Sequence, residues 1–484
     1  MSKKSDKSSL GLNAVYKMIL NIFNLLVPLF VGPYIAGLLS KEMYGIYNRV
    51  YAEFQVFMVI GAFGIYNYGV REISKVRSNL KQARSVFTSL FVIGIISNLV
   101  VTAFYILYFF VRGNGIDKYV YMVMIIQMIG NIFYIEFVNE AVENYAFITK
   151  KTILVRILYF VAIFTFVRKP TDVVIYSIVV SLTVFLNNFI SFMYLKKQFR
   201  FQFENLQIKR HVVPLVISLL LVNVELLYTQ LDKIMLSPFV NDIAVTEYTV
   251  PTMLVTMVAS IPLAFVSVSI PRLSSYVGTQ DTEAYQETLK DTMRTYMSIL
   301  IPIALGLFVL SEEVMWLYTK DVYTYAYPVL ALAALARIVY GYESIILNLM
   351  MYVWGFEKKM TLYLFLGGIL NVVSNFVLAY INCFSAFTAL LTNVIACLLV
   401  IVVCKRYFDK SVPVRIRFFD KYILRYLLVS ALFIPIAILI KGFEFGYWFN
   451  IIVTMAVCII LYVIFLLLAK DPLLRNIKEI LKRG

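Results

Sequence analysis

Histidine occurs once in the 484 residues, as His211, and no CxxC or HExxH spacing accompanies it. A Ser-His-acid triad would have to be built on that one imidazole inside a basic segment, and a zinc or haem site lacks both ligands and spacing. The chain is therefore expected to be neither an enzyme nor a metal binder. The four cysteines, Cys383, Cys397, Cys404 and Cys458, lie in or beside apolar runs without paired spacing, which suits small core hydrophobes rather than disulfides. No GxxxxGK(S/T) loop is present, which excludes a P-loop nucleotide motor. Charged residues make up only 15% of the chain. A water-soluble protein of this length needs roughly two to four domains covered in such residues, so that class is excluded, and disorder with it.

What the chain has instead is long apolar runs. Apolar residues account for 61% of it, and stretches of about 20 recur, each long enough to cross about 30 Å of hydrocarbon. The expected fold is all-α and integral to a membrane, with 14 transmembrane helices. Six spans, near 13–39, 44–67, 84–111, 118–145, 152–167 and 173–195, make an N-terminal lobe over 1–195. The segment KKQFRFQFENLQIKRH follows as a cytoplasmic linker or surface-lying helix, 196–212. Six more spans, near 213–239, 245–270, 295–318, 325–354, 361–381 and 386–404, make a second lobe over 213–404. A second basic linker, 405–421, leads to a helix pair over 422–469 and a tail, 470–484. The tail MSKKSDKSS precedes the first run without a small-residue cleavage site, so the first helix reads as uncleaved.

Forty-four Lys and Arg stand against 28 Asp and Glu, a net charge of +16. Nucleic acid is not the expected partner, because the basic residues are spread over short loops rather than gathered in one aromatic-lined patch. Loops and tails on the N-terminal side of the membrane carry 32 Lys and Arg against 7 on the other side. Positive charge stays inside, so both termini are expected in the cytoplasm, with Arg156 near the cytoplasmic end of its span and able to snorkel.

The two lobes repeat at an offset of 201 residues. Tyr47 pairs with Tyr248, Arg71 with Arg272 and Ser74 with Ser275, in each case along a second helix that ends in a basic loop. Equal orientation in both halves predicts pseudo-symmetric six-helix lobes about an axis normal to the membrane.

Ionisable residues inside spans cost about 2.5 to 3.5 kcal/mol each on insertion scales and so face water or a partner. Arg49 and Glu53, four apart on the second helix, read either as an ion pair or as a cavity cation with its carboxylate tuning access. Glu136, Glu140 and Glu143 share one face of the expected fourth helix, where they could hold a proton or cation or meet loop Lys and Arg. Glu225 and Asp232, seven apart on the seventh, share a face beside Lys233. Arg337 heads a stripe with Gly341, Ser344 and Asn348 on the tenth helix, near mid-membrane.

NAVYKMILNIFNLLVPLFVGPYIAGLLSKEMYGIYNRV, with its Pro-Tyr-Ile before Tyr-Gly-Ile-Tyr, resembles the first two helices of the polysaccharide transporter family, within the multidrug/oligosaccharidyl-lipid/polysaccharide exporter superfamily. LDKIMLSPFVNDIAVTEYTV is similar to that family's seventh-helix segment, and IEFVNEAVENYAFITKKTILVRI and IPRLSSYVG to a Gram-positive branch with capsule and teichoic-acid flippases. The resemblance implies a two-lobed, V-shaped transporter of the bacterial cytoplasmic membrane that flips undecaprenyl-diphosphate-linked oligosaccharide. It implies Arg49, Lys233 and Arg337 as receivers of diphosphate and sugar, with Glu53 beside them. Glu225, Asp232, Glu136 and Glu140 become candidates for a coupling proton or sodium ion, no other cofactor being expected. Expected partners are membrane lipids and a polymerase of the same pathway. The competing readings are a cation-coupled multidrug antiporter of the same superfamily, whose cavity would be acidic, and a scaffold for polymer synthesis, which needs no deep charge.

The charge asymmetry predicts the topology. Single cysteines at Asn114, Asp242 and Phe445 in a Cys-free background should react with an impermeant reagent from outside the cell, whereas labelling at Ser78 or Asn205 would reverse the orientation.

Overall fold

The computed structural model describes residues 3–469 and 471 apart from 78 and 205; side chains up to residue 15 and those of 17, 18, 21, 22, 25, 198 and 220–229 lie outside the description. The chain forms two compact units, 1–234 and 235–484, each built from helices. The first holds α1 (Lys3–Leu38), α2 (Lys41–Ala62), α3 (Ile65–Val76), α4 (Leu80–Arg112), α5 (Asp117–Ile132), α6 (Glu136–Ala141), α7 (Tyr145–Phe166), α8 (Val173–Gln198) and most of α9 (Ile208–Phe239). The second holds α10 (Asp242–Gly278), α11 (Thr282–Val309), α12 (Ser311–Thr319) and α13 (Tyr327–Ser344), which runs on into a π-helical stretch, Ile345–Tyr352. It continues with α14 (Glu357–Tyr380), α15 (Ala386–Ser411), α16 (Lys421–Ala431), α17 (Phe433–Lys441) and α18 (Tyr447–Leu468).

Eleven described stretches are long and apolar enough to cross a membrane. The three other expected spans fall on α1, α7 and α9: α7 carries Lys150, Lys151 and Arg156 in 22 residues, and α1 and α9 are described only in part. Leu99, Leu107, Phe110, Leu158, Phe376, Leu439 and Ile452 are exposed. In hydrocarbon such side chains need no cover, while helices satisfy every backbone group within the segment.

The repeat offset reappears in the helix starts. Ser40 caps α2 by accepting from Met43 N, and Asn241, 201 residues later, caps α10 by accepting from Ala244 N. Each answers an N–H that the first turn leaves unpaired. Packing repeats too: α2 lies on α4 and α5, α5 on α8 and α7 on α8, as α10 lies on α11 and α13, α13 on α15 and α14 on α15. The halves differ where α2 ends. Phe63 (φ 51°) and Gly64 (φ 68°) both turn left-handed before α3 begins, whereas α10 continues unbroken past Pro251, Pro262 and Pro271.

Neither basic linker is helical over its middle. Residues 199–203 form an extended strap along α4, with Phe201 stacked on Phe87 at 5.3 Å and the Gln202 N–H donating to the Thr88 hydroxyl; farther on the Gln207 N–H donates to the Ser89 hydroxyl. The surface-helix expectation for the first linker is corrected accordingly: Phe199, Phe201 and Phe203 alternate with polar residues, the period of extended backbone. Beyond the strap His211 is buried at the start of α9, its Nδ1 2.8 Å from the Tyr68 hydroxyl. In the second linker Val412, Val414 and Ile416 are buried and Pro413, Arg415 and Arg417 exposed, the same two-residue period. It ends on Asp420, which caps α16 and pairs with Arg294 at 2.5 Å. Burial raises that carboxyl's pKa, but the Ile423 N–H and the guanidinium outweigh it and hold it below the usual range. The unit boundary, 234/235, falls inside α9 rather than in the linker, because the first half of α9 is docked in unit 1: Ser218 Oγ donates to the Gly64 carbonyl at 3.1 Å.

Gly64 is the tightest point of that docking. A Cβ there would stand 2.6 Å from the Leu219 nitrogen, at a φ that L-residues disfavour. Gly64→Ala should therefore cost about 2–4 kcal/mol from strain and backbone displacement, read as a lowered unfolding temperature of the purified protein; an unchanged temperature would refute the close approach.

Candidate functional site

Arg49 lies in the middle of a closed polar network at one end of unit 1. Its guanidinium pairs with Asp117, the first residue of α5, donates to the Tyr121 hydroxyl at 3.1 Å, and stands 3.9 Å from Glu53 Oε1. Glu53 Oε2 accepts from Tyr121 and, at 2.9 Å, from Tyr108, while Arg112 comes within 4.0 Å of Oε1. Arg49 and Glu53 are 5% and 2% exposed. Two arginines and two carboxylates cancel. Of the two sequence readings, the ion pair describes Arg49 here: it fastens α2, α4 and α5 together.

Of the three glutamates expected on one face, Glu136 and Glu140 stay four apart on α6 and Glu143 leaves it. The helix breaks at 133–135 and α6 ends at Ala141, with Glu143 left-handed (φ 59°). Glu136 pairs with Lys151 at 3.1 Å and accepts from Ser191 at 2.6 Å, Glu140 bonds the Tyr66 hydroxyl, and Glu143 pairs with Arg77 at 2.5 Å. Each carboxylate has its own partner, which offsets the repulsion between neighbours on α6.

Asp232 is fully buried and Lys233 half-buried beside it, close enough for the two charges to attract. The Glu225 side chain lies outside the described residues. In unit 2 Arg337 is the eleventh residue of α13, about 15 Å along the axis from Tyr327. It is half-buried, the Tyr296 hydroxyl of α11 lies near it, and among the described residues no carboxylate stands within ion-pair distance of it. Gly341, one turn on, lets α13 press against α11, since a Cβ there would meet Leu300 Cδ2 at 2.4 Å. The stripe then enters the π-helical stretch, where Asn348 bonds back to Ser344 O at 3.0 Å; such widenings often mark functional positions.

Two groups escaped sequence reasoning. Arg156 sits midway along α7, because that helix begins at Tyr145 rather than near 152. The signal was the good helix-forming run YAFITKK ahead of the apolar stretch. The other is an amide and hydroxyl cluster joining α14 to α15: Thr392 Oγ1 donates to Asn375 Oδ1 at 2.6 Å, and Asn371 and Asn375 are fully buried. Asn-x-x-x-Asn at helical spacing marked it.

The profile of the family described as "Polysaccharide biosynthesis protein" matches residues 10–277, more than half of the chain. The fold is similar to that of a solved lipid II flippase MurJ in an inward closed conformation, with a TM-score of 0.70 and 15% identity over 94% of this chain and 97% of that one. An inward-facing multidrug resistance MATE family transporter of the MOP superfamily is similar at a TM-score of 0.60 and 13% identity, over 82% and 98% of the two chains. A MATE protein in a bent conformation is similar at 0.56 and 14%, over 88% and 97%. No curated protein matches. The chain thus has the all-helical fold of multi-pass membrane transporters.

The Arg49 network predicts a stability phenotype. Removing one partner of a buried charge set costs about 3–5 kcal/mol, so Arg49→Ala should lower membrane abundance and unfolding temperature. Adding Glu53→Gln and Asp117→Asn, which remove the stranded carboxylates, should recover part of the loss. An Arg49→Ala protein of undiminished stability would refute the fastening role.

Proposed function

The chain belongs to the polysaccharide biosynthesis protein family, and from that premise we propose that it flips undecaprenyl-diphosphate-linked oligosaccharide repeat units, precursors of capsule or teichoic acid, from the inner to the outer leaflet of the bacterial cytoplasmic membrane by alternating access. Both termini face the cytoplasm in this reading. The observation that carries it is Arg337: a half-buried guanidinium at mid-helix with a tyrosine hydroxyl beside it and no carboxylate to neutralise it among the described residues. A diphosphate carries roughly two negative charges and cannot leave water unpaired. A planar fork of donors answers two phosphate oxygens at once. In unit 1 Lys233, beside Asp232, is a separate candidate cation for the substrate. Asp232 is in turn the best-buried candidate for a coupling proton or sodium ion, with Glu225, Glu136 and Glu140 behind it. The multidrug antiporter alternative draws on the MATE likeness in fold. A carrier of organic cations needs an uncompensated acid, and Arg337 has the opposite sign.

Arg337→Ala should reduce occupancy by the diphosphate roughly hundredfold or more and abolish surface polymer at normal protein level, with lipid-linked precursor accumulating in the inner leaflet. Arg337→Lys should rescue only in part. Normal polymer from a well-inserted Arg337→Ala protein would sink the diphosphate role.

A further inference from the structure

Arg156 is not used by the reading above, and its surroundings are unlike those of Arg49. It lies eleven residues from Tyr145 and ten from Phe166, about 15 Å or more from either end of α7. Its Nη2 is 3.5 Å from Asn24 Oδ1 of α1, and the groups bearing on its charge are the phenols of Tyr51 and Tyr159. Among the described residues no carboxylate comes within ion-pair distance of it. Tyr51 lies beside Gln55 one turn along α2, and Tyr159 beside Tyr176 of α8. Behind them the buried Tyr47 stacks on Tyr51, centroids 5.7 Å apart and 13° from parallel, and meets Tyr176 at 4.5 Å. The inner tyrosines, Tyr47 and Tyr176, are buried; Tyr51, Gln55, Arg156 and Tyr159 are half-buried and Asn24 is exposed.

A cation, two amides and phenol hydroxyls stand side by side here and are left partly open, and such groups take water or a polar ligand rather than lipid chains. Their chemistry is that of sugar recognition. A phenol ring offers a flat apolar surface for the C–H face of a pyranose, the amides of Asn24 and Gln55 offer donors and acceptors for ring hydroxyls, and the guanidinium takes an acidic substituent in bidentate fashion. The inner tyrosines hold the outer rings in place. We propose that Asn24, Tyr51, Gln55, Arg156 and Tyr159 form a sugar subsite of unit 1 that receives a pyranose bearing a carboxylate or phosphate. The assignment rests on the flipping function for its physiological ligand, while the binding itself can be measured without transport. The phenol rings and amides beside the guanidinium favour a sugar over a phospholipid headgroup, which offers no pyranose face to stack on them.

The test uses the purified full-length protein and two probes, a glucuronate-containing hyaluronan tetrasaccharide and neutral chitotetraose, titrated by saturation-transfer NMR. The parent should bind the acidic probe more tightly. Arg156→Gln should weaken the acidic probe roughly tenfold, to the level of the neutral one. Tyr159→Leu should weaken both, whereas Tyr159→Phe, which keeps the ring, should retain the neutral probe. Gln55→Ala leaves the cation in place and should weaken the neutral probe at unchanged unfolding temperature. Equal affinity of parent and Arg156→Gln for the acidic probe, or no binding of either probe by the parent, would overturn the subsite. So would loss of co-purifying phosphatidylglycerol from Arg156→Gln with tetrasaccharide binding intact, which would assign the cation to a headgroup. Sugar binding at Arg156 alongside normal export by Arg337→Ala would refute the diphosphate site and leave the subsite standing.

Discussion

Hydrocarbon cannot solvate charge, and that single constraint sorts the polar residues of this protein. Every ionised group within a span must be answered by a protein group or turned to water. Arg49, Glu53, Asp117 and Arg112 answer one another, and Lys151 answers Glu136. These sets are neutral as wholes and bind helices together. Arg337 has a phenol near it and Arg156 an amide, rather than a carboxylate, so their charge remains available to a ligand. The difference lies in whether a counter-ion is built in, since all of these residues sit within helices.

The same constraint explains the linkers. A segment leaving the membrane must satisfy its backbone again, and both basic linkers do so by lying extended against a unit. The first linker uses the Thr88 and Ser89 hydroxyls for its Gln202 and Gln207 N–H groups, and the linker after α15 ends in the carboxylate cap of Asp420. The C-terminal helices are secured in like manner. Lys441 reaches Glu313 at 2.9 Å, Asn450 bonds the same carboxylate, and Tyr462 donates to the Ser298 carbonyl at 2.7 Å. These bonds hold the final pair to α11 and α12 within unit 2, although their sequence is otherwise generic.

The repeat gives the two units one plan and different details. Helix starts 201 residues apart and matching neighbours descend from the common pattern. The left-handed break at Phe63–Gly64 has no counterpart in α10, whose bends are at prolines. In the fourth helix one unit breaks the chain into α5 and α6, and the other widens into a π-helical stretch. The two polar networks are also unlike: unit 1 cancels its arginine at position 49, and unit 2 leaves Arg337 open.

Local quantities were legible in the sequence. Apolar run length, loop charge and the repeat need no partner to be read, and from them came the helical membrane class, most span positions and the short list of buried charges that contains Arg49, Asp232 and Arg337. What the sequence could not decide was which charges cancel. Asp117 lies 68 residues from Arg49 and Ser191 lies 55 from Glu136, and such distances close only when helices pack. Helix ends set the rest: α7 begins at Tyr145, seven residues ahead of the expected span, so Arg156 lies midway along the helix. Tertiary structure alone assigned each charge its neighbours, because pairing energy depends on separation in space and on the water that packing excludes.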